Sequence, residues 1–162
     1  MFDQAQLKTV GFDGFQRVLD PTLSRSTPTA SGIYAVLLRP PRPCEFMQRS
    51  VGGHFKAKDP TVPNDLLAAK YIDGCETMYI GRATNLKRRL GQLARFGRGE
   101  PVGHWGGRYL WQLQRHDELR VAWRIEADPT QAESDLLDEF ETSYGQLPFA
   151  NLVRGRKPLP TA

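Results

Sequence analysis

Three stretches of the chain carry the hydrophobic signature of strands. SGIYAVLL, residues 31–38, is an almost unbroken apolar run rich in β-branched and aromatic residues, which predicts a buried strand. Pro40, Pro41 and Pro43 end it, because proline has no amide hydrogen to give to a sheet. TMYIG, residues 77–81, is a second strand of the same kind. LRVAWRIEA, residues 119–127, alternates instead. Val121, Trp123 and Ile125 fall on one face and Arg120, Ala122 and Arg124 on the other, the pattern of a strand covered on one side.

Helical spacing appears in two longer segments. In ATNLKRRLGQLARFG, residues 83–97, Leu86, Leu90 and Leu93 recur at i, i+4 and i+7, Thr84 or Asn85 can cap the start, and Gly97 ends it. In QAESDLLDEFETSY, residues 131–144, Leu136, Leu137, Phe140 and Tyr144 form one stripe and Gly145 supplies a C-terminal cap. Shorter helical runs lie at NDLLAAKY, starting at Pro63 or Asn64, and near YLWQL. Residues 1–30, with GFDGF and SRSTPTASG, hold no sustained period and read as an arm plus loop. Residues 39–76, with scattered Pro, Gly and Lys, read as a surface insertion between the first two strands. The order predicts a small α/β sandwich with a largely antiparallel sheet over residues 31–153, followed by a basic tail over 154–162.

Composition narrows the class. With 162 residues, 40% hydrophobic and 25% charged, the chain has the size of one globular domain. No run of eighteen apolar residues occurs and MFDQAQLKTV has no basic-then-apolar leader, so neither a membrane span nor a secretory signal is read and a cytoplasmic location is expected. Cys44 and Cys75 cannot build a disulfide framework and are expected to be free thiols. Together with His54, His104 and His116 they show no close paired spacing of a structural zinc site. No phosphate-binding GxxxxGK[ST] and no GxGxxG after a strand is present, so nucleotide hydrolysis and dinucleotide chemistry find no support.

Charge is unevenly placed. The net formal charge is +4, but between Arg82 and Arg120 nine Lys and Arg face three acids, whereas Asp128 to Glu141 holds six acids and no Lys or Arg. A basic half opposite an acidic helix suits a site that must hold phosphate and a divalent cation together. Two solvated faces of opposite sign give the same pattern.

The candidate chemistry starts from two tripeptides, Gly32-Ile33-Tyr34 and Tyr79-Ile80-Gly81. Arg89 follows ten residues after the second tyrosine, then the histidine and glycine-rich stretch at His104, then Glu133 early in a helix, then Asn151. In this order the features resemble the GIY-YIG nuclease family, from about Gly32 to Leu152. The resemblance implies a small three-stranded antiparallel sheet flanked by helices and cleavage of nucleic-acid phosphodiesters, DNA above all, with one divalent metal, Mg²⁺ or Mn²⁺. It implies that Glu133 holds the metal, Arg89 neutralises the scissile phosphate, Tyr34 and Tyr79 orient or deprotonate the attacking water, Asn151 supports the site and His104 sits close by. Gly81, Arg82, Lys87 and Arg88 would contact substrate. Cutting both strands of a duplex with one site per chain favours a homodimer. A nucleic-acid-binding module that keeps the fold without turnover is the alternative.

These assignments have a physical basis. Phosphodiester cleavage builds negative charge on oxygen and needs a fixed cation, for which arginine's planar, always charged fork is suited. A hard cation that keeps its waters needs only one or two carboxylates besides substrate phosphate. Tyrosine, with an ordinary pKa near ~10, makes a poor base unless its surroundings change that, so the base could equally be Tyr34, Tyr79 or His104. Each residue also has an ordinary role. Thr130 to Glu133 has capping-box spacing, the tyrosines suit a core, Arg89 can belong to a solvated face, and Asn151 and His104 can serve turns and loops. Two features depart from the family pattern. The tyrosines lie 45 positions apart, and Leu93 stands where some members carry a histidine one turn past the arginine.

Overall fold

The structure, a computed structural model, describes residues 2–39 and 45–154. Four antiparallel strands form one sheet: β1 (Asp13–Arg17), β2 (Gly32–Leu37), β3 (Thr77–Ala83) and β4 (Arg120–Ile125), in the order β1-β4-β2-β3. The α/β class with an antiparallel sheet agrees with expectation. A sheet of three strands does not, because the N-terminal segment supplies a fourth.

That segment is no arm. It forms α1 (Gln4–Thr9), β1 and α2 (Leu23–Ser26). Asp3 caps α1 by accepting from the Gln6 amide at 2.9 Å. β1 covers the outer edge of β4, and its register slips between Gly14 and Gln16. Phe15 sits at φ 53° and Gly14 at φ 97°, a bulge that passes against Trp123; a Cβ on Gly14 would stand 2.5 Å from the Trp123 ring. Glu76 ties this end to the rest, accepting from the Gln4 amide at 2.9 Å and from Arg39 Nε at 3.0 Å.

β4 is paired on both edges, and it is not one-sided, because Leu7, Phe12 and Phe15 of the N-terminal segment cover its Ala122 face. Val121, Ala122 and Trp123 are all buried, while Ile125 at the strand end is 60% exposed. Both faces of the sheet are covered. On one, Tyr34, Val36, Tyr79 and Val121 pack with Leu86, Leu90 and Leu93 of α4 (Leu86–Gly97). On the other, Ile33, Ala35, Leu37 and Ile80 pack with Leu136, Leu137 and Phe140 of α5 (Pro129–Tyr144). Burying the Val, Leu, Ile and Phe side chains among these stabilises the fold by about 1.5–3 kcal/mol each.

Several boundaries move. Residues 82 and 83 continue β3, so the helix predicted from 83 starts at Leu86, with Asn85 as its cap, accepting from the Arg88 amide at 3.0 Å. α5 starts two residues earlier than predicted and is capped by Asp128, which accepts from the Gln131 amide at 3.1 Å, so Thr130 and Glu133 do not form the capping box. Gly145 closes α5 in the left-handed conformation, φ 73°. The segment around YLWQL is 3₁₀ rather than α-helical, Trp105–Gln112.

The insertion between β2 and β3 carries α3 (Asn64–Lys70) and packs on that 3₁₀ segment. Gln112 anchors it, donating to the carbonyls of Met47 and Val62 and accepting from the Val62 amide at 3.0 Å. Cys75 is a buried free thiol. Cys44, Arg42 and the tail beyond Arg154 lie outside the described residues. No helix among the described residues is long and apolar enough to cross a membrane.

Candidate active site

Antiparallel pairing brings the two tripeptides together despite their separation in sequence. Tyr34 is opposite Gly81 and Val36 is opposite Tyr79, so both tyrosines rise from the α4 face of the sheet. Their ring centroids are 5.9 Å apart. Gly81 is required between them, because a Cβ there would stand 2.6 Å from Tyr34 Cζ and 2.8 Å from the Tyr79 ring.

His104 closes the group from the loop after α4. It is fully buried, with Tyr34 Oη and His104 Nε2 2.9 Å apart and the Tyr79 ring centroid 5.6 Å away. Gly107 lets the chain fold tightly over the imidazole, since a Cβ there would meet His104 Nδ1 at 2.9 Å. His104 Nδ1 has no hydrogen-bond partner among the described residues.

Arg89 comes from the boundary of the α4 apolar stripe. Its Nη1 donates to the Gly103 carbonyl at 2.5 Å and to Gln92 Oε1 at 3.1 Å, so the guanidinium is held by the loop that bears His104 and by its own helix. It lies near enough to both tyrosine hydroxyls to influence their ionisation. Burial pushes Tyr34 well above the ordinary tyrosine value, Tyr79 adds to the rise, and Arg89 opposes it. Burial raises Tyr79 too, again opposed by Arg89, with Glu133 contributing further upward. Burial and the Arg89 charge bring His104 down to about 3, so at neutral pH the imidazole is uncharged. Two neutral hydroxyls and a neutral imidazole thus surround one fixed cation.

Glu133 approaches from α5. Its Oε1 accepts from Arg82 Nη1 at 2.9 Å, and the side chains are 10% and 29% exposed. Burial raises the Glu133 carboxyl above the ordinary range, and Arg82 is the largest opposing influence, followed by Arg154 and Arg89. A cleft of about 310 Å³ opens beside this pair, lined by Arg82, Asn85, Arg88, Arg89, Gln92 and Thr130 among others.

The predicted residues therefore divide. Tyr34, Tyr79, Gly81, Arg82, Arg89, His104 and Glu133 form one neighbourhood, with Arg88 on the cleft wall. Lys87 points instead into a separate groove on the α2 side of α4. Asn151 offers no free amide atom to a substrate. Its Oδ1 accepts from the Ile80 amide at 2.9 Å and its Nδ2 donates to the Ile80 carbonyl at 2.8 Å, which pins β3 one residue from Tyr79. Gln92 and the Gly103 carbonyl, which hold Arg89, were not singled out in the sequence. Gln92 was findable three positions after Arg89 on the same helix face.

Among the described residues no group of three or more His, Cys, Asp or Glu side chains comes together. A hard divalent ion that keeps its waters and shares substrate oxygens does not need one. Glu133 Oε2 carries no hydrogen bond among the described residues, and a partly buried carboxylate oxygen beside a cationic cleft fits such an ion. No family model, curated protein or solved structure matches the chain.

Proposed function

We propose that the chain is a GIY-YIG-type, metal-dependent endonuclease that hydrolyses phosphodiester bonds in DNA. The reading is supported by one observation above others: Tyr34, Tyr79, Arg89 and His104, spread over 71 positions, meet at one buried polar centre beside Glu133. Hydrolysis of a phosphodiester needs charge stabilisation at the phosphate and a positioned water. Arg89, held at two points, supplies a fixed cation that needs little reorganisation when charge develops. Glu133 would hold Mg²⁺ or Mn²⁺, which supplies Lewis-acid activation of phosphate and water.

Tyr34, Tyr79 and His104 act as a neutral hydrogen-bonding wall in this reading. Raised hydroxyls hold protons tightly and orient a water well, and they abstract a proton only as far as Arg89 stabilises the phenolate. Arg82 and Arg88 line the approach and attract the flanking phosphates. Cutting both strands of a duplex would then use two copies, one site each.

The second reading is a DNA-binding module without turnover. It is favoured by the Arg82 ion pair, which occupies Glu133 Oε1, and by Leu93, a core residue where a histidine base would otherwise stand. The test is incubation of the wild type, Arg89→Ala and Glu133→Ala with single-stranded and duplex DNA at low salt, with Mg²⁺, Mn²⁺ or EDTA. The expected result is metal-dependent cutting that EDTA abolishes and that either variant lowers about 10²-fold or more, with binding retained by Glu133→Ala. Salt-sensitive binding with no cutting of either form by the wild type establishes the silent module instead.

A further inference from the structure

We propose that the face of α4 turned away from the tyrosine cluster is a docking surface for the phosphate backbone of duplex DNA, centred on Gly91. The inference rests on the nuclease reading for the identity of the polyanion, and on the structure of α4 for its place.

Gly91 stands in the interior of a twelve-residue helix. Glycine is the poorest helix former after proline, so such a position calls for a reason. Inside the molecule none is present: a Cβ on Gly91 would meet nothing within 4 Å. Gly97 of the same helix is different, because a Cβ there would stand 2.4 Å from the Trp111 ring. The space over Gly91 is open to solvent and bordered by cations. Lys87 lies one turn before it, Arg95 one turn after and Arg98 nearly two turns after, and all three are exposed. Together with Ser24 and Thr27 from the α2 side they line a groove of about 130 Å³.

The acids facing this groove leave the cations available. Asp20 is engaged by the Thr22 amide and hydroxyl, both at 2.8 Å, and by Gln16 at 3.0 Å. Glu100 pairs with Arg95 at 3.1 Å, but these side chains are 46% and 54% exposed, and a pair so open to water exchanges readily for a phosphate. Arg98 donates one nitrogen, Nη2, to the Leu19 carbonyl at 3.1 Å. Lys87 has no side-chain ion pair among the described residues.

The dimensions suit one strand of a duplex. Lys87 to Arg98 spans about 16 Å along the helix axis, which is about five nucleotide steps of a single strand. A missing side chain at the middle of that span lets a sugar–phosphate backbone approach the helix closely between the flanking cations. The opposite side of α4 carries Asn85, Arg89 and Gln92 into the cleft beside the Arg82–Glu133 pair. One helix would therefore hold the scissile phosphate on one side and the flanking backbone on the other.

The test is fluorescence anisotropy of a 30-base-pair duplex titrated with full-length protein in EDTA, over a series of salt concentrations. The variants are Lys87→Ala/Arg95→Ala/Arg98→Ala and, separately, Gly91→Ala and Gly91→Leu, with helicity and melting temperature recorded for each. Losing three phosphate contacts should make the slope of log affinity against log salt shallower by about 2.7. Gly91→Ala should melt no lower than the wild type and bind more weakly. Gly91→Leu should bind about fivefold more weakly or worse if it overpacks the contact. An unchanged slope in the triple variant, with a wild type that binds and cuts DNA, overturns the docking surface and leaves the nuclease reading standing. A Gly91→Ala protein that binds as tightly as the wild type overturns the close approach at Gly91. A wild type that neither binds nor cuts DNA removes both readings.

Discussion

At Glu133, burial and a neighbouring guanidinium pull in opposite directions, and the balance sets how the carboxylate serves the proposed chemistry. Desolvation favours the protonated acid, and Arg82 favours the carboxylate. Removing Arg82 therefore leaves desolvation less opposed, and the Glu133 carboxyl rises further. In Arg82→Ala the acidic limb of the pH–rate profile should move to higher pH, because more of the site is protonated at any given pH below neutral. Arg82→Lys should keep part of the charge and show a smaller displacement. The profile of metal-dependent cleavage between pH 4.5 and 8 checks this, and an acidic limb that stays in place in Arg82→Ala would remove Glu133 as its origin. Little of this balance was legible in the sequence. Thr130 to Glu133 has the spacing of a capping box, but Asp128 takes the capping role and frees Glu133 to meet Arg82. The partner of an ionisable group 51 positions away is a product of packing, which local spacing does not encode.

Elements were legible where a single face decides them. α4, with leucines at helical spacing and Asn85 at its head, follows directly from its pattern, as do β2 and β3. β1 was hidden because a bulge breaks its alternation. Only Phe15 of its five residues is buried, and the chain passes Trp123 through Gly14 at positive φ. The alternation of β4 reads as one-sided because the residues that cover its Ala122 face, Leu7, Phe12 and Phe15, come from a segment with no period of its own. Asn151 shows the same dependence on context, since its side chain completes the outer edge of β3 as a neighbouring strand would. Asn151→Ala leaves the Ile80 amide and carbonyl without these partners, and the protein should lose about 2–4 kcal/mol of stability. Asn151→Asp keeps an acceptor for the amide but sets a buried carboxylate oxygen against the Ile80 carbonyl, and it should lose at least as much. Urea unfolding with unchanged slope measures the loss. An Asn151→Ala protein as stable as the wild type would mean that water replaces both bonds and that Asn151 does not hold β3.

For the whole molecule, the buried centre couples acid stability to the site. Folding places His104 where its pKa is about 3, against 6.5 for an ordinary histidine. Between these values the unfolded chain binds a proton that the folded chain refuses, so stability falls as pH drops from about 6.5 toward 3. Asp20 and Asp59, held below their ordinary value by hydrogen bonds, add to the loss only at the lower end of that range. Glu133 works the other way, because its raised carboxyl takes up a proton in the folded state first and gains relative stability as the pH falls through the carboxylate range. Comparing the wild type with His104→Gln separates these contributions, since glutamine keeps a polar partner for Tyr34 but does not titrate. The variant should be less stable at pH 7, where the packing of the imidazole is lost, and should lose less further stability between pH 6.5 and 4. Chemical denaturation at fixed pH steps across that window gives both slopes. Parallel slopes would show that His104 is protonated in the folded state as readily as in the unfolded one. The imidazole would then be a cation facing Arg89 in acid, and the neutral wall assigned to Tyr34, Tyr79 and His104 would not exist below pH 6.5.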